Sequence, residues 1–134
     1  MTLEIIFATA QDAVRIADIH MAAFADNGML LAQFPSPAIR EGLRNAIMRK
    51  ANDDIRDPHT AVLLVRDTHS DNTIISFAKW NLPSSTTDNE SPWVWPNGTR
   101  VDILNHWTEK VENTMKKILG DEPCYRKMFT TIPR

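Results

Sequence analysis

Two apolar runs decide how this chain folds: Thr60-Ala61-Val62-Leu63-Leu64-Val65-Arg66 and Thr73-Ile74-Ile75-Ser76-Phe77-Ala78-Lys79-Trp80. Both have strand length and are rich in β-branched and aromatic side chains, and the stretch between them, Asp67 to Asn72, is polar throughout. That pattern predicts a β-hairpin at the middle of the chain. A hairpin pairs its strands antiparallel, so the sheet is predicted to be antiparallel or mixed rather than all-parallel.

Upstream, Leu3-Glu4-Ile5-Ile6-Phe7-Ala8 reads as a further short strand. Thr9 with Asp12 three residues on is a helix-start pattern, and Ala13, Ile16, Ala17, Ile19, Ala23 and Phe24 follow at helical spacing up to a stop near Asn27-Gly28. Met29 to Pro35 is apolar without a period, a helical turn or a loop packed on the core. Ser36-Pro37 then supplies a hydroxyl cap and a proline at the first helical position. Ile39, Leu43, Ala46, Ile47 and Ala51 mark the inner face of the helix it opens, with Arg40, Arg44 and Lys50 mostly off that face. The helix is expected to stop by Asp57-Pro58.

Downstream, Leu82 to Glu90 has the composition of a loop, and Trp93 and Trp95 stand between turn signals. Thr99, with Asp102 three residues on, is expected to open a third helix whose apolar stripe is Leu104, Trp107, Val111, Met115 and Ile118, ending at Gly120. Cys124 to Ile132 reads as a last strand. The predicted order is β-α-α-β-β-α-β, an α/β (α+β) arrangement with helices packed on a mixed or antiparallel sheet, in a single domain over residues 1–134.

Composition narrows the partners. The chain has 134 residues, enough for one hydrophobic core, with 15 basic against 17 acidic side chains. A net charge of −2 argues against a nucleic-acid binder of the usual basic kind. No apolar run has the length of a membrane span, and the start lacks the basic n-region of a signal peptide. The lone cysteine, Cys124, has no internal partner and no nucleophile motif around it, so a packed thiol in a reducing, cytoplasmic setting is expected.

Several segments resemble the first half of a GNAT-family N-acetyltransferase, with the nearest likeness to small fungal members. These are Ile5-Ile6-Phe7-Ala8-Thr9-Ala10-Gln11-Asp12, Ile16 to Phe24, the strands Ala61–Arg66 and Ile74–Trp80, and Trp95-Pro96-Asn97-Gly98-Thr99. The resemblance implies a GNAT-like half-fold. In that family a Gln/Arg-x-x-Gly-x-Gly/Ala loop at a helix start holds the coenzyme A pyrophosphate through backbone amides. The glycines here are Gly28, Gly42, Gly98 and Gly120, and no two are two residues apart. If Arg134 is the natural end, the family's later helices and strands are absent too. The chain is therefore expected to take no cofactor and no metal, and acetyl transfer by a lone protomer is not expected.

Three groups of side chains are candidates for chemistry. His20 lies on the inner face of the first helix, either as a hydrogen-bonded core residue or as a pocket acid or base. Asp102 and His106 are one turn apart, the spacing of a base and its orienting carboxylate, or simply a helix cap and a solvated surface residue. Phe24, Phe34, Trp80, Trp95, Trp107 and Tyr125 are either core and loop anchors or the aromatic wall of a binding site.

Three functional readings follow. In the first, the fold binds an apolar small molecule and catalyses a cofactor-free cyclisation, isomerisation or elimination in small-molecule biosynthesis, with His20, Asp102 and His106 as its polar groups. In the second, it is an acetyltransferase completed by another subunit. In the third, it is a non-enzymatic binding or assembly module. Under all three, an open edge at the last strand favours a homodimer.

Overall fold

The structure is a computed structural model that describes residues 2–83, 92–121 and 125–131, the last six of these by their backbone. The strands are β1 (Leu3–Phe7), β2 (Thr60–Asp67), β3 (Thr73–Asn81) and β4 (Arg126–Thr131). The helices are α1 (Ala13–Ala23), α2 (Gly28–Gln33), α3 (Pro37–Arg56) and α4 (Val101–Leu119), with a 3-10 turn at Ala10–Asp12 leading into α1. Met29 to Gln33, aperiodic in sequence, is thus the body of a six-residue helix, capped by Asn27, whose side chain accepts from the Leu30 N–H at 3.0 Å. The strand order is β1-β2-β3-β4, and all three pairings are antiparallel.

The central hairpin carries the sheet. Thr60 pairs with Asn81 and Val65 with Ser76, and a bulge follows between Val65 and Arg66. β1 adds to the outer side of β2, and β4 adds to β3, so β1 and β4 are the edges. Alternation along the strands sends Val62 and Leu64 of β2 and Phe77 and Lys79 of β3 to one face. α1 and α3 pack there. Ala13, Ile16 and Ile19 of α1, Ala51 of α3, and Val62, Leu64 and Phe77 form one buried cluster. Beside it lies a second, of Ala17, Leu30, Phe34, Leu43 and Ile47, and Met48 packs against both. The Arg15 guanidinium further ties α1 to β3 by donating to the Ile74 carbonyl at 2.8 and 2.9 Å.

Local signals set the helix starts where the backbone has no competing donor or acceptor. The Thr9 N–H donates to the Asp12 carboxylate at 2.7 Å, and Ser36 Oγ accepts from the Ile39 N–H at 3.2 Å. The expected Thr99 cap does not form. Its hydroxyl donates instead to the Pro96 carbonyl at 2.7 Å, and α4 begins two residues later, at Val101. The expected placement of Lys50 off the inner face is also corrected: its side chain is only 2% exposed. The packing of Cys124 falls outside the described residues. No helix is long and apolar enough to cross a membrane.

Candidate functional site

The covered face of the sheet holds a buried ionic cluster. Asp54, near the end of α3, accepts from Lys50 Nζ on Oδ1 at 2.7 Å and from Lys79 Nζ of β3 on Oδ2 at 3.0 Å. The three side chains are 1–3% exposed. Burying charges costs several kcal/mol each, offset only where the geometry is close and the remaining polar atoms are satisfied. A carboxylate bridging two ammonium groups, with both oxygens used, meets that requirement. Lys50 and Asp54 are placed one turn apart by α3, while Lys79 arrives from the strand across the interface.

His20 borders this cluster. It is 7% exposed on α1, and its ring packs on Phe24 with centroids 4.9 Å apart. Burial, reinforced by the neighbouring Lys79 charge, pushes the imidazole down to about 4. At neutral pH the ring is uncharged, so it serves as a hydrogen-bonding and orienting group and is a poor proton acceptor.

On the other side of Lys50 the cluster meets indole. Lys50 Nζ lies 6.0 Å from the Trp93 ring centroid, within cation–π range. Trp93 stacks on Trp95 with centroids 4.7 Å apart and planes 2° from parallel, and Trp95 reaches Phe34 at 5.9 Å. Phe24, Trp93, Trp95 and Leu104 all pack against the second core cluster. A continuous path therefore runs from Phe34 through Trp95 and Trp93 to Lys50, Asp54 and Lys79, and on to His20 and Phe24.

The tryptophan loop is held by shape. Gly42, inside α3, leaves a notch for Pro96: a Cβ there would stand 2.6 Å from Pro96 Cβ. Gly98 takes φ of +88°, where side chains are rarely accommodated, and sits against Ile39. The Arg100 N–H then donates to the Gln33 carbonyl at 2.8 Å, fixing the root of α4 against α2.

The sequence candidates thus separate. His20, Phe24, Phe34 and Trp95 come together. Asp102 and His106 lie exposed on α4, and the Asp102 carboxylate is taken by the Arg100 guanidinium at 2.8 and 3.0 Å, not by His106. That contact holds the Asp102 carboxyl below its ordinary range. Trp107 and Tyr125 are 52% and 68% exposed. Trp80, opposite in parity to Lys79, is on the other face of the sheet. Sequence reasoning missed Lys50, Asp54, Lys79 and the partnership of Trp93. Leu43, Ile47, Lys50 and Asp54 are at i, i+4, i+7 and i+11, one stripe of α3, and Lys79 shares strand parity with Phe77. Both spacings carried the signal. Among the described residues no group of three or more His, Cys, Asp or Glu side chains is placed to hold a metal ion.

Neither the protein-family models nor the curated proteins contain a match to this sequence. Solved structures do. The C-terminal condensation domain of Ebony in complex with beta-alanyl-dopamine matches at TM-score 0.62 and 16% identity, over 89% of this chain and 52% of that one. The histone acetyltransferase HPA2 and related acetyltransferase from Corynebacterium glutamicum matches at TM-score 0.50 and 18% identity, over 100% of this chain and 98% of that one. The fold is GNAT-like. This GNAT-like chain spans about half the length of the Ebony domain. At such identities the likeness concerns the backbone, and the buried Lys50–Asp54–Lys79 cluster is argued from this chain's own geometry.

Proposed function

We propose that this GNAT-like domain binds an aromatic small molecule against Phe24, Phe34, Trp93 and Trp95 and catalyses a cofactor-free step on it: a cyclisation, isomerisation or elimination. The observation that carries the reading is the unbroken path from the stacked indoles to the buried ammonium groups. Stacked indoles offer a flat apolar surface to a ring. The buried ammonium groups of Lys50 and Lys79 act through their field, without touching the substrate, on negative charge that develops on an oxygen held beside the indoles. His20, uncharged and fixed, orients the polar end. Asp102 and His106 are not needed for this step.

The condensation domain that shares the fold is described with beta-alanyl-dopamine bound, which makes that amide the first probe to try. Titration into the protein is expected to quench indole emission saturably at or below about 1 mM. Trp95→Ala should weaken the quench at least tenfold. His20→Asn should retain binding and lower turnover of bound aromatic amides, followed by product analysis. No saturable quench, or a quench indifferent to Trp95→Ala, overturns the reading. Binding without turnover of any aromatic amide makes the domain a non-enzymatic binding module. Saturable binding of acetyl-CoA in a parallel titration makes it an acetyltransferase.

A further inference from the structure

Among the described residues no helix packs on the opposite face of the sheet. Leu3, Ile5 and Phe7 of β1 point there and are 52%, 71% and 74% exposed. Their register partners on β2 include Val65 and Leu63, half-buried and equally apolar. α4 presents a second uncovered surface. It has no buried residue, and Trp107, Val111 and Ile118 are 52%, 40% and 75% exposed along one stripe. Of the other elements, only α2 lies alongside its backbone among the described residues. Such a stripe is the inward face of an amphipathic helix.

One chain cannot join these two surfaces. The root of α4 is fixed on the helix-bearing side of the sheet, by Arg100 on Gln33 and by Leu104 against the cluster that contains Leu43 and Ile47. The bare face is on the far side. We propose that a second copy of this chain covers them: α4 of each protomer lies across the β1–β2 face of its partner, in a closed two-fold exchange.

Size and shape fit. The 19 residues of α4 span about 28 Å, and four strands set roughly 4.8 Å apart present a face of about 15 Å across. The six exposed side chains named above offer on the order of 700 Å² per copy. Each of the two surfaces is thus about 350 Å², the size of the largest apolar patch usual on a monomer, and the two together approach the roughly 800 Å² each partner gives in a standard interface. Pairing sheet face with sheet face would leave both α4 helices bare, and pairing α4 with α4 would leave both sheets bare. The exchange alone covers both surfaces. It differs from strand-edge pairing at β4, which would cover neither.

Sedimentation of the full chain at micromolar concentrations is expected to give a dimer. Ile5→Glu and Val111→Glu, on different surfaces, should each weaken it at least about tenfold, because either places a charge in the apolar contact. Far-ultraviolet circular dichroism checks that the variants fold. If Ile5→Glu does not, a covalent test replaces it. In a Cys124→Ser background, Phe7→Cys and Trp107→Cys chains of different mass are mixed and oxidised, and a disulfide-linked heterodimer is expected. A monomer up to about 100 μM, a dimer insensitive to both glutamates, or one sensitive to only one of them overturns the exchange, as does a failure of the two cysteines to link.

Discussion

On one face of the sheet, Val62, Leu64, Phe77 and Lys79 are at most 4% exposed; on the other, Leu3, Ile5 and Phe7 are more than half exposed. The covered face holds charge, in Asp54 and its two lysines, whereas the bare face sets Leu3, Ile5, Phe7, Leu63 and Val65 beside Ser76. Polarity alone therefore does not set burial in this sheet. Apolar residues are exposed where no element covers them, and charged residues are buried where the neighbouring elements complete their bonding.

If burial with satisfied geometry is what distinguishes the covered face, the largest effect comes from removing the shared acceptor. Asp54→Ala is expected to lower unfolding free energy by about 3–5 kcal/mol in urea titrations, as for the loss of one member of a buried ion pair. A loss under about 1 kcal/mol would place the cluster in a far wetter setting than its geometry indicates.

Next in size is the pH response of His20. Its ordinary value is 6.5, and in the folded protein it is lowered to about 4. Between these values the unfolded chain binds more protons than the folded one, so stability rises with pH across this window. The contribution is complete above about pH 6.5 and is lost as pH falls toward 4, about 3 kcal/mol in all. Melting curves from pH 4.5 to 7 should show the slope, and His20→Asn should flatten it. An unchanged slope in that variant assigns the response to another group.

Gly42→Ala sharpens the comparison on the covered side. Alanine is the better helix former by about 1 kcal/mol, yet its methyl would meet the proline ring 2.6 Å away. The clash is expected to outweigh the gain, with a net loss of about 1–2 kcal/mol. A shift of indole emission should accompany it as the Trp93–Trp95 loop lifts. The smallest effect belongs to the bare face. Ile5→Thr, studied at a dilution where copies are apart, should change stability by less than about 0.5 kcal/mol.

The fold was legible where bonding is local. The hairpin, the Thr9 and Ser36 helix starts and the apolar side of α1 follow from neighbours within a few residues. The start of α4 did not, because the Thr99 hydroxyl found a closer acceptor in the Pro96 carbonyl, a preference set by the loop's own turn. The site was legible in part. His20, Phe24, Phe34 and Trp95 stood out as residue types. Lys50 read as mostly off the inner face and Lys79 was read only as part of a strand, and only the joint parity of α3 and β3 brings them to one carboxylate. The isolation of α4 was not legible at all: a helical stripe states that something apolar covers it, not whether that cover belongs to the same molecule.

The burial of Lys50 and Lys79 also divides the lysines whose side chains are described into two chemical classes. Amine-acylating reagents react with neutral, accessible nitrogen. They should mark exposed side chains such as Lys110 within minutes and spare the two bonded to Asp54 until the domain opens. The rate at which acyl groups appear on Lys50 and Lys79 in a peptide mass map would then be a clock for global unfolding, read in native buffer without denaturant.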